Sequence, residues 1–434
     1  MNNRNFPNLL VISHNLLESN NNVGKTLLSL LSKWPKNCLY SLYFRNEYPT
    51  LSNCNSYFLL HDKDVIKALL SIGLYKSGKS FSSIQSEYSI TDKEKFLYRL
   101  GNKRMPIISL IRDLIWKISP WKTSKLESWI YDIHPQIILF VPSDYSLAFN
   151  VLNYIRNITD ARIFTFYMDD LFYYKQSIKG IEKIRRKKLL KLGQNCAKYT
   201  ESLFTTCNLM ADEYEKLLHL KCQSFGNCVE FIDDSGAIEN GCPESLVLSY
   251  IGNLHSNRWM SLVEIGQALE TINNQDKKEH RLDIYSANEL EKNIKLEFEA
   301  ISCVYFMGAL SPDEVREKQR VADILVHVEA FDIKSKISTR LSVSTKIFEY
   351  LAVGKPIFAY GPEDIASIKY LEETNAAQIC TNKSDLIDKL IQVFESRDLL
   401  KVMREQGVKY ALNHCNCEVE SEKFCKALTN PTLK

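Results

Sequence analysis

Twelve short apolar runs, most set off from the next by a segment of helical length, recur along nearly the whole chain and leave few folds open to it. The first half carries NLLVIS (8–13), CLYSLYF (38–44), SYFLL (56–60), QIILFV (136–141), RIFTFYM (162–168) and SLFTTC (202–207). The second carries LVLSYIG (246–252), LDIYSA (282–287), CVYFMG (303–308), DILVHV (323–328), PIFAYG (356–361) and AAQIC (376–380). Bounded apolar runs of this length are buried strands, and strands alternating with amphipathic helices wind into parallel sheets. The rhythm stops at DDSGAIENGCPE (233–244), where Gly, Asp, Asn and Pro collect. The expected fold is α/β, with two doubly wound Rossmann-like domains at 1–238 and 239–415 and a helix within 416–434 packing back on the first. Such sheets take ligands at the carboxyl ends of their strands, and two facing crevices would make one cleft.

A chain of 434 residues with 45% apolar content has ample material for two cores. Net charge is only +3, which argues against a global field for nucleic acid, but the charge is unevenly spread. Between His61 and Ile130 thirteen Lys/Arg oppose seven Asp/Glu, and between Lys179 and Lys198 eight oppose one. The strand and helix alternation lapses over about 73–125, a basic insertion in the first domain. Within it, RMPIISLIRDLIWKISPWK (104–122) predicts an amphipathic face. Ile107, Ile108, Leu110, Ile111, Leu114, Ile115, Trp116 and Trp121 would lie on anionic lipid, and Arg104, Arg112, Lys117, Lys122 and Lys125 would face headgroups. The alternative is a solvated surface. The twelve cysteines include no C-x-x-C pair, and the spacing of Cys415 and Cys417 is poor for zinc, so free thiols in a reducing cytoplasm are expected. No run is apolar enough to span a bilayer, and the N-terminus lacks a secretory signal.

Two short motifs invite misreading. GLYKSGKS (73–80) fits the phosphate-loop pattern G-x-x-x-x-G-K-[ST]. That loop works only between a buried strand and the N-terminus of a helix. HDKDVIKALLSI before it has helical spacing, so a mobile basic loop is expected, with a nucleotide-binding loop built on Lys79 as the alternative. Tyr167-Met168-Asp169-Asp170 looks like a polymerase metal motif, but the alternating chain does not suit a polymerase palm. A carboxylate pair at the edge of a cleft is the better expectation.

The stretch RLSVSTKIFEYLAVGKPIFAYGPE (340–363) is the most informative. Ser342, Ser344 and Thr345 are candidate caps for a helix from about Lys346 to Ala352. Gly354 ends it, and Gly361-Pro362 turns the chain after the following strand. Backbone N–H groups, hydroxyls and Lys346 could hold a diphosphate there, with Glu349 one turn on to accept from a ribose diol.

Ser344 to Pro356 resembles the donor-binding segment of retaining glycosyltransferases of the GT-B fold, particularly the family-4 type. LSYIGNLHSNRWMSLVEIGQAL (248–269) is similar to the opening of that family's second domain, where a strand ends in glycine, here Gly252. The resemblance implies that Arg258 binds the donor diphosphate and that Asn253 stands where another Arg is often found. LLVISHNLLESNNNVGKTLLSLL (9–31) resembles the family's first strand and loop, with Gly24 opening a helix toward the donor. Two departures stand out. The first of two family glutamates falls at Leu341, with Glu329 or Asp332 as stand-ins, and an acceptor-side histidine falls near Met168 or Asp169, leaving Asp169 and Asp170 for that place.

By this resemblance the chain would move a sugar from a nucleoside-diphosphate sugar to a glycan or lipid-linked acceptor, with retention, in surface polysaccharide biosynthesis. Arg258, Lys346, Asp169 and Asp170 would be catalytic, and Gly24, Gly252, Asn253, Arg258, Ser344, Thr345, Lys346, Glu349 and Gly361 would bind the donor. No metal or other cofactor is expected, since fixed positive charge can meet the leaving diphosphate. Expected partners are the donor, the acceptor and an anionic membrane surface, with no nucleic acid. The expected location is cytoplasmic or peripheral at the inner face of the membrane. A sugar-nucleotide epimerase of the same fold is the enzyme alternative.

Overall fold

The computed structural model describes residues 6–19, 21–82, 106–172, 180–229 and 245–430. The chain forms two compact units. One comprises Met1–Gly226 with Glu420–Lys434, the other Asn227–Val419. The segment 233–244 and residues 83–105 of the basic insertion, Arg104 among them, lie outside the described residues.

The first unit is built on an eight-stranded sheet of β1 (Leu9–Ser13), β2 (Leu39–Tyr43), β3 (Ser56–Leu59), β4 (Lys79–Phe81), β5 (Ile137–Phe140), β6 (Arg162–Tyr167), β7 (Ser202–Thr205) and β8 (Cys222–Ser224). Their order is β4-β3-β2-β1-β5-β6-β7-β8. All neighbours pair parallel except β4, which runs antiparallel to β3. Leu9, Leu10, Val11, Ile12 and Ser13 are all buried, because a central parallel strand is covered on both faces. Phe424, on the helix Cys417–Thr429, completes the unit's aromatic cluster, with its ring 4.9 Å from Phe225 and 5.4 Å from Phe204.

The second unit holds β9 (Val247–Ile251), β10 (Arg281–Tyr285), β11 (Val304–Gly308), β12 (Ile324–Val328), β13 (Ile357–Tyr360) and β14 (Ala377–Cys380). Every pair is parallel, in the order β11-β10-β9-β12-β13-β14. After β11 the chain returns past β9 to build outward on its other side. The winding therefore reverses between β9 and β12, and a crevice opens beyond their carboxyl ends.

All twelve apolar runs form strands. The two strands that the runs did not announce, β4 (KSF) and β8 (CQS), are three residues long, polar and at the outer edges of the first sheet. β4 also disposes of the phosphate-loop alternative. Lys79 and Ser80 lie in an antiparallel edge strand, not at the entrance to a helix, and Lys79 Nζ sits 3.3 Å from the Tyr48 hydroxyl.

The expected lipid face needs correction at its aromatic members. Within the helix Pro106–Ile118 and the turn after it, Trp116 and Trp121 are 2% and 4% exposed, in the core of the first unit. Trp116 Nε1 donates to Asp62 Oδ1 at 2.7 Å and Trp121 Nε1 to the Trp116 carbonyl at 2.9 Å, so both indoles are satisfied inside the protein. Among the described residues no helix is long and apolar enough to cross a membrane.

Candidate functional site

β9 ends at Ile251, Gly252 and Asn253 follow it, and after a short turn the helix Arg258–Asp276 begins with Arg258 itself. Asn257 before it is left-handed at φ 56°, and its Nδ2 donates to Asp332 Oδ2 at 3.0 Å. Asp332 Oδ1 meanwhile caps the helix Ile333–Thr339 through the Ser335 N–H at 3.0 Å. Asp332 thus spans the loops after β9 and β12 and fixes where Arg258 starts.

Glu329 follows β12 directly and is 1% exposed. Its carboxylate accepts from Arg258 Nη2 at 2.7 Å and from Nε at 3.2 Å, the two-point geometry of a guanidinium facing a carboxylate. Arg258 Nη1 reaches Asn253 Oδ1 at 3.0 Å. Burial lifts the Glu329 carboxyl above its usual range, and Arg258, Thr339 and Ser367 pull against it. Glu329, read from the sequence as a stand-in for a sugar-contacting glutamate, is here the anchor of Arg258. Leu341, at the place of the absent glutamate, is buried.

The helix Thr345–Val353 points its N-terminus into the same region. Ser344 occupies the cap position but its side chain makes no capping hydrogen bond, contrary to the expectation for that hydroxyl. The Ile347 N–H bonds the Ser344 carbonyl at 3.1 Å, which leaves the amides of Thr345 and Lys346 to face outward at the positive end of the helix. Lys346 Nζ lies over the Tyr250 ring, 5.9 Å from its centroid, with no ion-pair partner among the described residues. Burial and the Arg258 charge push its pKa down to about 8, with Glu349 opposing. A Cβ on Gly252 would fall 2.5 Å from that Nζ and 2.8 Å from the Tyr250 hydroxyl, so glycine is what lets the ammonium approach the strand end.

Glu349 stands one turn further along and accepts from Gln319 Nε2 at 3.1 Å. Gln319 is buried on the helix Pro312–Val321, so a neighbouring helix orients the carboxylate. Gly361 backs onto Glu329, and a Cβ there would lie 3.0 Å from the Glu329 Cβ. Its role is to let two strand ends come together. His327, buried in β12, shares its Nε2 with Ser367 Oγ at 3.0 Å. Burial first, then Arg258 and Lys346, push its pKa down to about 3, so the imidazole is neutral.

The structure therefore gathers Gly252, Asn253, Arg258, Ser344, Thr345, Lys346, Glu349 and Gly361 at one end of the second sheet. Sequence reasoning missed Gln319, His327, Tyr250 and Ser367. Only His327 left a trace, as the one titratable residue inside an otherwise aliphatic run. Lys346, the Glu329-paired Arg258 and one helix N-terminus form an arrangement that can hold a compact anion, with Glu349 as an acceptor one turn on.

Gly24, Asp169 and Asp170 belong to the first unit. Gly24 is the third residue of the helix Asn22–Leu30, and its N–H is capped by Asn21 Oδ1 at 2.7 Å. A Cβ there would meet the Glu18 carbonyl oxygen at 2.1 Å, so this glycine lets the loop after β1 cross the helix. Asp169 is exposed after β6. Asp170 is buried, and its Oδ1 accepts from the Tyr214 hydroxyl and the Phe172 N–H, each at 3.1 Å.

No family model and no curated protein matches the sequence. Solved structures do. Anabaena HepE in complex with UDP and glucose is similar at 10% identity and TM-score 0.62, over 98% of this chain and 100% of that one. WaaG, a glycosyltransferase involved in lipopolysaccharide biosynthesis, matches at 12% identity and TM-score 0.55, over 97% and 100%. Sucrose-phosphate synthase from Thermosynechococcus elongatus matches at 10% identity and TM-score 0.60, over 96% and 97%. This chain therefore has the fold of these proteins, the two-domain Rossmann-like architecture of GT-B glycosyltransferases.

Proposed function

We propose that the protein is a glycosyltransferase whose second unit binds a nucleoside-diphosphate sugar. The observation that carries this reading is the convergence of Lys346, Arg258 and the open N-terminus of the helix Thr345–Val353 at the switch point between β9 and β12. In transfer, the bond from the anomeric carbon to the diphosphate oxygen breaks and a bond from that carbon to an acceptor hydroxyl oxygen forms. The electron pair leaves with the diphosphate, and the hydroxyl proton passes to it or to solvent. Negative charge grows on the leaving group, where preorganised cations are most effective. The reading gives this task to Arg258, Lys346 and the helix amides, not to a metal. Glu349 would accept from the ribose diol, and Asn253, Gly252, Ser344 and Thr345 would line the donor.

The finer reading is transfer with retention to a glycan or lipid-linked acceptor in surface polysaccharide assembly, at the cytoplasmic side. The motif of residues 344–356 supports it, as does the likeness to WaaG, a glycosyltransferase involved in lipopolysaccharide biosynthesis. Asp169 and Asp170 are the acceptor-side candidates, Asp169 by its exposure.

Thermal unfolding with UDP, GDP, ADP and their sugars tests the reading, on wild type, Lys346→Ala, Glu349→Ala and Lys79→Ala. A ligand at about 100 times its Kd should stabilise by about 2.7 kcal/mol. The effect should survive Lys79→Ala and fade in the other two. Chromatography of the products separates transfer, which releases nucleoside diphosphate, from epimerisation, which leaves it attached to sugar. If no nucleoside diphosphate stabilises the wild type, the proposal fails.

A further inference from the structure

The helix Pro312–Val321 turns a polar residue inward. In its sequence PDEVREKQRV, Val315, Gln319 and, just past its end, Ala322 follow one another at the spacing of a single helix face. Val315 packs against the apolar cluster that holds Leu325, Ile347 and Leu351, and Ala322 is buried in that cluster. Gln319, between them, is 1% exposed and is the residue that this helix buries, while Val321 is left 59% exposed. An amide costs more to bury than an alkyl chain unless its polar atoms are bonded. Packing alone would favour leucine or methionine at 319, so the amide serves the group that it holds.

That group is Glu349, whose Oε2 accepts from Gln319 Nε2 at 3.1 Å. Both ends of the bond are anchored. Gln319 is fixed by burial, and Glu349 rides the helix Thr345–Val353, where Ile347, Phe348, Tyr350 and Leu351 are all buried. A half-buried glutamate with no such partner turns about its side-chain torsions, and its carboxylate has no set direction. With Oε2 held, the carboxylate plane is oriented. Lys346 lies one turn earlier on the same helix, so an oriented acceptor stands at a set span from the cation that faces the diphosphate. In a nucleoside diphosphate the 2′ and 3′ hydroxyls lie across the ribose from the oxygen that carries the phosphates.

We propose that Gln319 is a positioning residue, and that by orienting Glu349 it makes the site select ribonucleotides over their deoxy counterparts. The proposal rests on the nucleoside-diphosphate reading above. An oriented carboxylate accepts from two adjacent hydroxyls at once. When one hydroxyl is missing, the bound nucleotide covers the carboxylate without satisfying it, and affinity is lost. A carboxylate free to turn would meet water instead and discriminate little.

The test is calorimetric titration of the full chain with UDP, GDP and ADP, then with the 2′-deoxy and 3′-deoxy forms of whichever binds. Wild type should bind the ribo form about tenfold or more tightly than either deoxy form, the factor that a hydrogen bond to a charged group gives. Gln319→Leu should weaken the ribo form and change the deoxy forms little, so that the ratios shrink to about threefold or less. Gln319→Met, closer in shape to glutamine, should repeat the result if leucine disturbs the fold, which thermal unfolding will show. Lys346→Ala should weaken all three forms alike and keep the wild-type ratios, which separates lost orientation from a damaged site. Equal affinities for ribo and deoxy forms in wild type overturn the proposal and leave the donor reading intact. Ratios that Gln319→Leu and Gln319→Met both preserve also overturn it, because the amide then serves packing alone. Absence of binding by any nucleoside diphosphate overturns the donor reading and this proposal with it.

Discussion

Glu329 grips Arg258 at two points, Oε1 to Nη2 at 2.7 Å and Oε2 to Nε at 3.2 Å, with the carboxylate 1% exposed and the arginine side chain 17%. The buried partner is the anion, and the cation extends from it toward solvent. Arg258→Ala should therefore cost about 2–4 kcal/mol, because it leaves an unpaired carboxylate in the core. Arg258→Met combined with Glu329→Gln should recover most of that stability and none of the nucleoside-diphosphate affinity. Urea unfolding and ligand titration on the three proteins separate the two effects.

Lys346 supplies a pH dependence. Its pKa of about 8 in the ligand-free protein should rise when a diphosphate binds beside it. Binding near pH 8 then takes up a proton, and affinity falls as pH climbs above about 8. Calorimetry in buffers of different ionisation enthalpy should report the uptake, and Lys346→Arg should abolish it.

Gly252→Ala should act on the ligand and on the fold. The new methyl displaces the flexible end of Lys346, which can swing away, and meets the buried Tyr250 ring at 2.8 Å, which must shift. Donor KM should rise about tenfold, the factor that a loss of about 1.4 kcal/mol from one cation contact gives, and the unfolding midpoint should fall, which thermal unfolding of the variant checks.

His327 sets an acid limit. Its folded-state pKa of about 3 lies below the ordinary 6.5, so between these values the unfolded chain binds a proton that the folded chain does not. Its contribution is intact above pH 6.5 and is lost as pH falls, with a slope of about 1.4 kcal/mol per pH unit for one proton. His327→Gln, able to keep a bond to Ser367, should flatten the acid limb in urea titrations from pH 7 to pH 4.

What the sequence reveals of this molecule follows from burial. Strands covered on both faces read as continuous apolar runs, which is why β1, β5, β9 and β12 are legible, while the three-residue edges KSF and CQS carry no such mark. Lys346 and Glu349 are legible because both ride one helix in a recognisable motif. Gln319 and Glu329 are not, because their roles come from contacts across the sheet with residues 30 and 71 positions away. The tryptophans mislead for a related reason. Helical spacing places Trp116 near the apolar face, but only the tertiary fold shows that an aspartate 54 residues earlier holds its indole inside.

Phe424 follows the second unit in the chain, yet its ring lies among Phe166, Phe204 and Phe225 of the first. A ribosome therefore releases nearly two hundred residues of the second unit before the plug of the first one's core leaves the exit tunnel. The first unit must wait, incompletely closed, while the second is made and folded. Its exposed aromatic cluster is the place where a chaperone would find the nascent chain and where a premature stop would do the most damage.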